Sequence, residues 1–202
     1  MVARRPLIGA ATFDGLAAHV LAGPVRLGRV RLVCVDGPAG SGKTTFAGRL
    51  SDALGERTAL LSLEDLYEGW TLDGAVDRLS EGVLRPLAEG RAGSYLRYDW
   101  AAGRFGTDPV AVPVPRVLVV EGCGSCARSL DRWTTLRVWV EAPAPLRLSR
   151  GLARDGGHLS EHWRRWQESE AAHFAADDTR ARADVRVDGA ADRPDGEFRT
   201  LH

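Results

Sequence analysis

The residues best suited to chemistry lie in one short glycine-rich segment. Gly37, Gly42, Lys43 and Thr44 have the spacing G-x-x-x-x-G-K-T within the sequence VCVDGPAGSGKTT. The segment follows an apolar run, residues 30–35, and precedes a helical pattern, which is the strand-to-helix context that this motif requires. The sequence therefore predicts a phosphate-binding loop.

Each residue type in this loop suits the binding of ATP and Mg²⁺. Glycines let the backbone N–H groups converge on the phosphates, and the helix that follows points its positive dipole end at them. Lys43 would contact the β and γ phosphates, and the Thr44 hydroxyl would ligate Mg²⁺. The residues predicted to bind the nucleotide in this loop are Gly37, Pro38, Ala39, Gly40, Ser41, Gly42, Lys43, Thr44 and Thr45.

Lys43 is the only lysine in a chain that is rich in arginine. Because a compact ammonium fits between phosphates where a planar guanidinium does not, we expect that arginine cannot replace it. We therefore assign Lys43 a catalytic as well as a binding role.

The elements that must position this loop follow a simple alternation. A lead-in helix over 13–21 precedes predicted strands and helices that alternate, which indicates an α/β fold: a P-loop NTPase with a five-stranded parallel sheet doubly wound by helices. The predicted strands are residues 30–35, 58–62, 117–120, 138–140 and 184–188. Four further helices are predicted. The first follows the loop and ends at Gly55, and the second covers 71–84 and ends near Pro86. The third, after Pro145, bears arginines, and the fourth begins with a cap at Ser160.

The composition limits the class of protein and of partner. With 202 residues, 44% of them hydrophobic, the chain is long enough for one domain, with a lead-in at 1–29 and a polar tail at 190–202. The formal net charge is zero, so no basic field favours nucleic acid or an anionic membrane. No run approaches a secretory or membrane-spanning segment. We expect a cytoplasmic protein with small-molecule partners, and the sequence is compatible with a homodimer.

Acidic residues follow two of the predicted strands. Glu64 and Asp65 come after strand 58–62, and Glu121 ends the apolar run 117–120. Ligands bind where parallel strands end, so one of the first two carboxylates would accept a proton from an attacking hydroxyl and the other would help to place the metal. The alternative for this pair is a solvated acidic turn.

Cys123 and Cys126 form a C-x-x-C pair. Zinc requires four ligands, and no second pair of cysteines or histidines lies at metal spacing. Small side chains that fill tight space after a strand are the better interpretation.

In their order along the chain, these features resemble the uridine kinase and phosphoribulokinase-like family of P-loop kinases, over about residues 30–189. The segments that carry the resemblance are the phosphate-binding loop, Glu64-Asp65-x-Tyr67, Tyr98-Asp99-Trp100 with Arg104, Glu121-Gly122, Arg154-Asp155 and Ala183-Asp184-Val185. The chain departs from the family at Gly103, where nucleoside kinases carry a histidine, and at Glu64, where the register of the family places its catalytic aspartate.

The resemblance implies further roles for individual residues. Glu121 would hold Mg²⁺ through water. An acceptor pocket would contain Tyr67, Tyr98, Trp100 and Arg104, although ordinary aromatic packing also explains the last three. Arg147, which would contact the nucleotide, and the catalytic Arg150 and Arg154 would belong to a lid helix that closes on the phosphoryl group, or else form a solvated helix face.

The resemblance implies a kinase that transfers the γ-phosphoryl of ATP to a hydroxyl of a nucleoside or nucleoside-like metabolite. A phosphorylated acceptor and a regulatory P-loop ATPase are the alternatives. A GTP-dependent switch is excluded by residue type, because its Asn-Lys-x-Asp motif requires an asparagine and a second lysine, and the chain has neither.

Overall fold

The computed structural model of the protein describes residues 10–191 and 194–201; parts of the lead-in and the tail lie outside these ranges. In the described part of the chain, nine strands, β1 to β9 in chain order, span Ala10–Thr12, Arg31–Asp36, Thr58–Ser62, Gly93–Asp99, Arg104–Val112, Val117–Glu121, Thr134–Glu141, Val185–Asp188 and Glu197–Arg199. The α-helices of the same ranges, α1 to α7, span Phe13–Ala22, Lys43–Leu54, Ala75–Leu79, Arg85–Ala88, Ala144–Asp155, Ser160–Asp177 and Thr179–Arg182.

Five of the strands form one parallel sheet in the order β3-β6-β2-β7-β8. The predicted α/β fold with a five-stranded parallel sheet is therefore confirmed. The central strands are mainly apolar because helices cover both faces of the sheet: every residue of β6 is buried, and only its last residue, Glu121, is polar. Along β2, Val33 and Val35 face one apolar cluster, and Leu32 and Cys34 face the other.

The strand register brings three strand ends level with one another. Glu121, the last residue of β6, lies opposite Val35 of β2 and opposite Ser62, the last residue of β3. The phosphate-binding loop follows β2 directly, and the acidic pair Glu64 and Asp65 follows β3. The phosphate-binding loop, the acidic pair and Glu121 thus meet at the carboxyl edge of the sheet, as expected for an open α/β fold.

Two parts of the architecture were not predicted. Residues 93–112, for which no strand was predicted, form an antiparallel hairpin of β4 and β5. The polar tail was expected to fray, but β9 pairs with β1, and Thr200 bridges to Val187 of β8. The hairpin gave no apolar strand signal because β5 is largely exposed, and β1 and β9 were missed because they lie at opposite ends of the chain.

Helix boundaries also differ from the prediction in places. Pro86 does not end the helical segment: a π-helical turn over Ser80–Leu84 leads into α4, where the proline occupies the first turn, which needs no N–H donor. Ser160 is the first residue of α6 and not its cap. Gly55 does end α2 as predicted, with positive φ and its N–H bonded to the last turn. No helix in the described ranges is long and apolar enough to cross a membrane.

Candidate active site

The phosphate-binding loop packs so closely that glycine is required at two of its positions. A Cβ atom on Gly37 would lie 2.0 Å from the Val140 carbonyl oxygen of β7, and one on Gly40 would lie 2.4 Å from the Arg147 carbonyl oxygen of α5. Both glycines also have positive φ. The loop is therefore held against the sheet and against α5 before any ligand binds.

Lys43 is the first residue of α2 and is only 7% exposed. Its ammonium donates a hydrogen bond to the Pro38 carbonyl at 3.0 Å and lies 3.6 Å from the Cys123 sulfur. Burial acts to lower the pKa of Lys43, but the surrounding carboxylates of Glu121, Asp36 and Glu170 outweigh it and raise the pKa. The side chain is thus charged and already folded along the loop.

Asp36 is a functional candidate that the sequence reasoning missed. Its fully buried carboxylate accepts hydrogen bonds from the N–H groups of Gly37 at 2.7 Å, Gly124 at 3.1 Å and Cys126 at 2.8 Å. Burial raises the pKa of Asp36 to about 6, although the three hydrogen bonds and Lys43 act in the opposite direction. The available signal was the one that identified Glu121, an acid at the end of an apolar strand.

Glu121 lies where a metal carboxylate is expected. Its two oxygens accept hydrogen bonds from Thr44 Oγ1 at 3.3 Å and from Ser62 Oγ at 2.7 Å, and burial raises its pKa. Among the described residues there is no cluster of three or more candidate ligands for a metal ion. A hydroxyl beside one carboxylate nevertheless fits Mg²⁺, which takes oxygen ligands and completes its shell with water and substrate phosphates. Ser62 was not predicted from the sequence.

The acidic pair after β3 divides into two environments. Residues Leu63–Asp65 form a 3₁₀ turn, so the alternation of a continuing strand does not apply. The Asp65 carboxylate is held by the Tyr95 hydroxyl at 2.9 Å and by Arg97 Nε at 3.0 Å, both on the hairpin. Both residues line the cavity beside the loop, but Glu64 is the more exposed and lies 3.5 Å from Arg154 Nη1.

The three predicted lid arginines on α5 have different surroundings. Arg150 lines the cavity and donates to the carbonyls of Gly40 and Gly189, at 3.3 and 3.0 Å. Arg154 also lines the cavity, where Asp155 binds its Nε and Nη2 at 2.7 and 3.1 Å. Arg147 is not brought to the cavity, because its guanidinium is largely buried and faces the backbone of the loop.

A cavity of about 1260 Å³ passes over the loop and has two ends. At one end lie four indole rings, which we call the indole wall: Trp70, Trp100, Trp163 and Trp166. The other three rings of the wall lie 6.0 to 6.2 Å from the Trp70 ring, measured between centroids. Trp70 was not predicted although it follows the acidic pair closely, and Trp163 and Trp166 of α6 are buried.

Of the predicted acceptor residues, the structure brings Tyr67 and Trp100 to this end of the cavity. Tyr67 is buried, and its hydroxyl donates to the Cys123 carbonyl at 2.9 Å, so only its ring is available. Tyr98 and Arg104 do not line the cavity. Tyr98 is buried against Trp100, and Arg104 is exposed on β5.

The opposite end of the cavity lies beside Thr45 and has a floor of three phenylalanine rings. Phe13, Phe46 and Phe198 have centroids 5.1 to 5.2 Å apart, and Arg49 lines the cavity beside them. Two of these rings come from the lead-in helix α1 and the tail strand β9, which were not predicted to approach the site.

The three cysteines are free and buried. Burial raises the pKa of the Cys123 thiol and of the Cys126 thiol well above the ordinary value, which keeps both protonated. This arrangement agrees with small side chains that fill tight space.

Comparison with known proteins supports the same family. No protein-family profile matches the chain. It is 26% identical over 136 residues to a uridine kinase of Halobacterium salinarum. The match covers 60% of this chain and 60% of that curated relative, so the chain spans only part of the relative's length. The resemblance to uridine kinase-like P-loop kinases is confirmed.

Solved structures share the fold. One from Bacillus stearothermophilus, described as a possible uridine kinase, matches with a TM-score of 0.63 and 20% identity, covering 86% of this chain and 96% of its own. D-glycerate 3-kinase from Cryptococcus neoformans matches with a TM-score of 0.61 and 16% identity, covering 86% and 92%. At these identities the structural likeness establishes the fold.

Proposed function

We propose that this chain, whose sequence and fold are similar to those of the uridine kinase and phosphoribulokinase-like P-loop kinases, is an ATP-dependent small-molecule kinase. It transfers the γ-phosphoryl of ATP to a hydroxyl of a nucleoside or nucleoside-like acceptor. The observation that carries the proposal is that Lys43, Glu121 and Glu64 line one cavity, which runs from the phosphate-binding loop to the indole wall. A loop for phosphates, a site for Mg²⁺ and a carboxylate that faces a second compartment are the parts that phosphoryl transfer needs.

ATP would lie with its phosphates in the loop and its base at the phenylalanine end. The ammonium of Lys43 would then meet the β and γ phosphates from its position along the loop. Thr44 and Glu121 would hold Mg²⁺. The bound ion would neutralise the negative charge that develops on the phosphoryl oxygens. The chain contributes positioning and charge, with no covalent intermediate.

Glu64 is the better candidate for the base that accepts the proton of the acceptor hydroxyl. Asp65 is already bonded to Tyr95 and Arg97, and these contacts turn it toward the hairpin. Glu64 is the more exposed of the two carboxylates, and its ion pair is with the exposed Arg154. General base catalysis requires such a carboxylate within reach of the proton that it removes.

The charges at the indole wall favour an acceptor without a phosphate group. Arg154, which lines the cavity, is neutralised by Asp155 and Glu64. A phosphate there would meet carboxylates before it met a free guanidinium. The exposed ring of Trp100 instead suits a flat ring, which stacks on it.

An assay of ADP release tests the proposal with matched acceptors. Each unphosphorylated nucleoside would be compared with its 5′-monophosphate, and with a sugar and a sugar phosphate, at fixed Mg·ATP. We expect slow release of ADP from ATP alone, and stimulation of at least tenfold by an unphosphorylated nucleoside-like acceptor. Stimulation by phosphorylated acceptors alone would assign the other kinase class. Turnover that no hydroxylated compound stimulates would assign a regulatory ATPase and overturn the proposal.

A further inference from the structure

Two helices, α5 and α6, form hydrogen bonds to the outer part of the phosphate-binding loop. Their bonding residues lie more than 100 positions after the loop in the sequence. Ala39 donates its N–H to Glu170 Oε2 of α6 at 2.7 Å. Its carbonyl accepts a hydrogen bond from Arg147 Nη1 of α5 at 3.3 Å. The same Arg147 nitrogen lies 3.1 Å from Glu170 Oε1, so one ion pair binds both polar groups of one loop residue.

Because the Ala39 N–H is bonded to Glu170, it is not available to a phosphate. Ala39 was predicted to bind nucleotide as part of the loop, but its N–H is directed to α6 and not into the cradle. A carboxylate that takes this N–H fixes the orientation of the Ala39 peptide, and with it the start of the segment that runs through Gly40 to Lys43.

Glu170 also contacts the other compartment of the cavity. Its Oε2 accepts the indole N–H of Trp166, a member of the indole wall, at 3.1 Å. The Cys123 thiol, which lies against Lys43, is a further donor at 3.5 Å. Glu170 itself is 2% exposed and stands one helical turn after Trp166. One buried carboxylate therefore joins the indole wall, helix α5 and the loop.

We propose that Glu170 is a positioning residue for phosphoryl transfer, which holds the phosphate-binding loop in register with the indole wall. The proposal rests on the proposed function. It does not follow from the loop motif, since the residue lies 127 positions beyond Lys43 in sequence. Because misplacement of reacting groups by about 1 Å can reduce a rate about a hundredfold, loss of this register should reduce kcat more than it reduces ATP affinity.

The test compares Glu170→Gln with Glu161→Gln on the same helix. Glu161 makes an exposed i,i+4 ion pair with Arg165, so its variant undergoes the same chemical change away from the loop. We expect Glu170→Gln to lower kcat at least tenfold while the Kd of Mg·ATP, measured by calorimetry, changes less than threefold. Glu161→Gln should match the wild type in both. A kcat for Glu170→Gln within twofold of the wild type would overturn the proposal.

A second variant separates positioning from stability. Glu170→Gln leaves Arg147 largely buried without its partner, which destabilises a protein in itself. Arg147→Met combined with Glu170→Gln removes both charges. We expect the thermal midpoint to recover toward that of the wild type while kcat stays at least tenfold low. Recovery of both quantities would assign Glu170 a structural role only.

Amide hydrogen exchange tests the contact between Glu170 and the Ala39 N–H without any assay of activity. We expect the Ala39 amide of the ligand-free protein to exchange at least tenfold faster in Glu170→Gln than in Glu161→Gln. Equal exchange would contradict the proposal. If the wild type phosphorylates no acceptor, the proposed function fails, whereas this measurement still decides whether Glu170 fixes the loop.

Discussion

Glu64 and Arg154 meet across the mouth of the cavity, with 3.5 Å between the carboxylate of the turn after β3 and the guanidinium on α5. A phosphoryl group that attracts Arg154 would release Glu64 to accept the proton of the acceptor. Charge neutralisation and proton removal would thereby be linked through one ion pair.

The first prediction compares the two acids of this turn. Glu64→Gln should lower kcat by about a hundredfold or more, because general base catalysis contributes roughly 10²–10⁴ in rate. Asp65→Asn should cost less than tenfold, since Asp65 acts on the hairpin through Tyr95 and Arg97. Steady-state kinetics at saturating ATP measure both. Small and equal losses would show that neither carboxylate is the base.

The second prediction concerns Mg²⁺ and Glu121. Glu121→Gln should raise the Mg²⁺ concentration needed for half-maximal turnover at least tenfold, because the variant loses the carboxylate beside Thr44. Ser62→Ala removes one hydrogen bond to the same carboxylate and keeps its charge, so its Mg²⁺ dependence should shift less than threefold. An unchanged Mg²⁺ titration in Glu121→Gln would remove Glu121 from the metal site.

The third prediction tests the indole wall as the acceptor site. Trp100 is 46% exposed and lines the cavity, and Leu96, on the same hairpin, is 42% exposed and does not. Stacking of a base on an aromatic ring contributes about 1–3 kcal/mol, so Trp100→Ala should raise the KM of the acceptor by about tenfold. Leu96→Ala should leave it within twofold. If both variants leave the acceptor KM unchanged, Trp100 packs only against its neighbours.

The fourth prediction uses two glycines inside helices, where propensity alone favours alanine at both. Gly48→Ala on α2 meets no atom within 4 Å and should stabilise the protein by about 0.5–1 kcal/mol. Gly151→Ala on α5 would place its Cβ 2.2 Å from the Trp163 ring, so it should destabilise by about 1–3 kcal/mol. Urea unfolding measures both. The same sign for the two variants would contradict the packing of α5 against α6.

The sequence alone was enough for the elements whose signal is local. The loop of Gly37 to Thr45, the order of strands and helices, and the placing of Glu121 beside Thr44 follow from motif spacing and from apolar runs. Periodicity did not reveal the hairpin of β4 and β5, because β5 is largely exposed and has no apolar alternation. It could not reveal the pairing of β1 with β9, because tertiary contact sets that pairing. The cytoplasmic location and a homodimer stay predictions.

Roles of single side chains were the least predictable part. Arg147, Arg150 and Arg154 share a helix face, yet Arg147 faces the loop backbone and Glu170, and the other two line the cavity. Spacing places residues on a face, but the packing of that face decides which of them reach a ligand. Glu170 gave no signal in sequence, because a glutamate in a polar helix is ordinary until its burial is known.

The central claim is that the γ-phosphoryl of ATP passes to an organic hydroxyl at a site built on Lys43. Incubation with [γ-³²P]ATP, Mg²⁺ and the acceptor found in the ADP assay, followed by chromatography, measures where the label goes. We predict that the label appears on the acceptor with the wild type, and that Lys43→Ala and Lys43→Arg, both folded, each transfer less than a tenth as fast. Label found only in inorganic phosphate, or transfer by Lys43→Ala above that rate, would contradict the account.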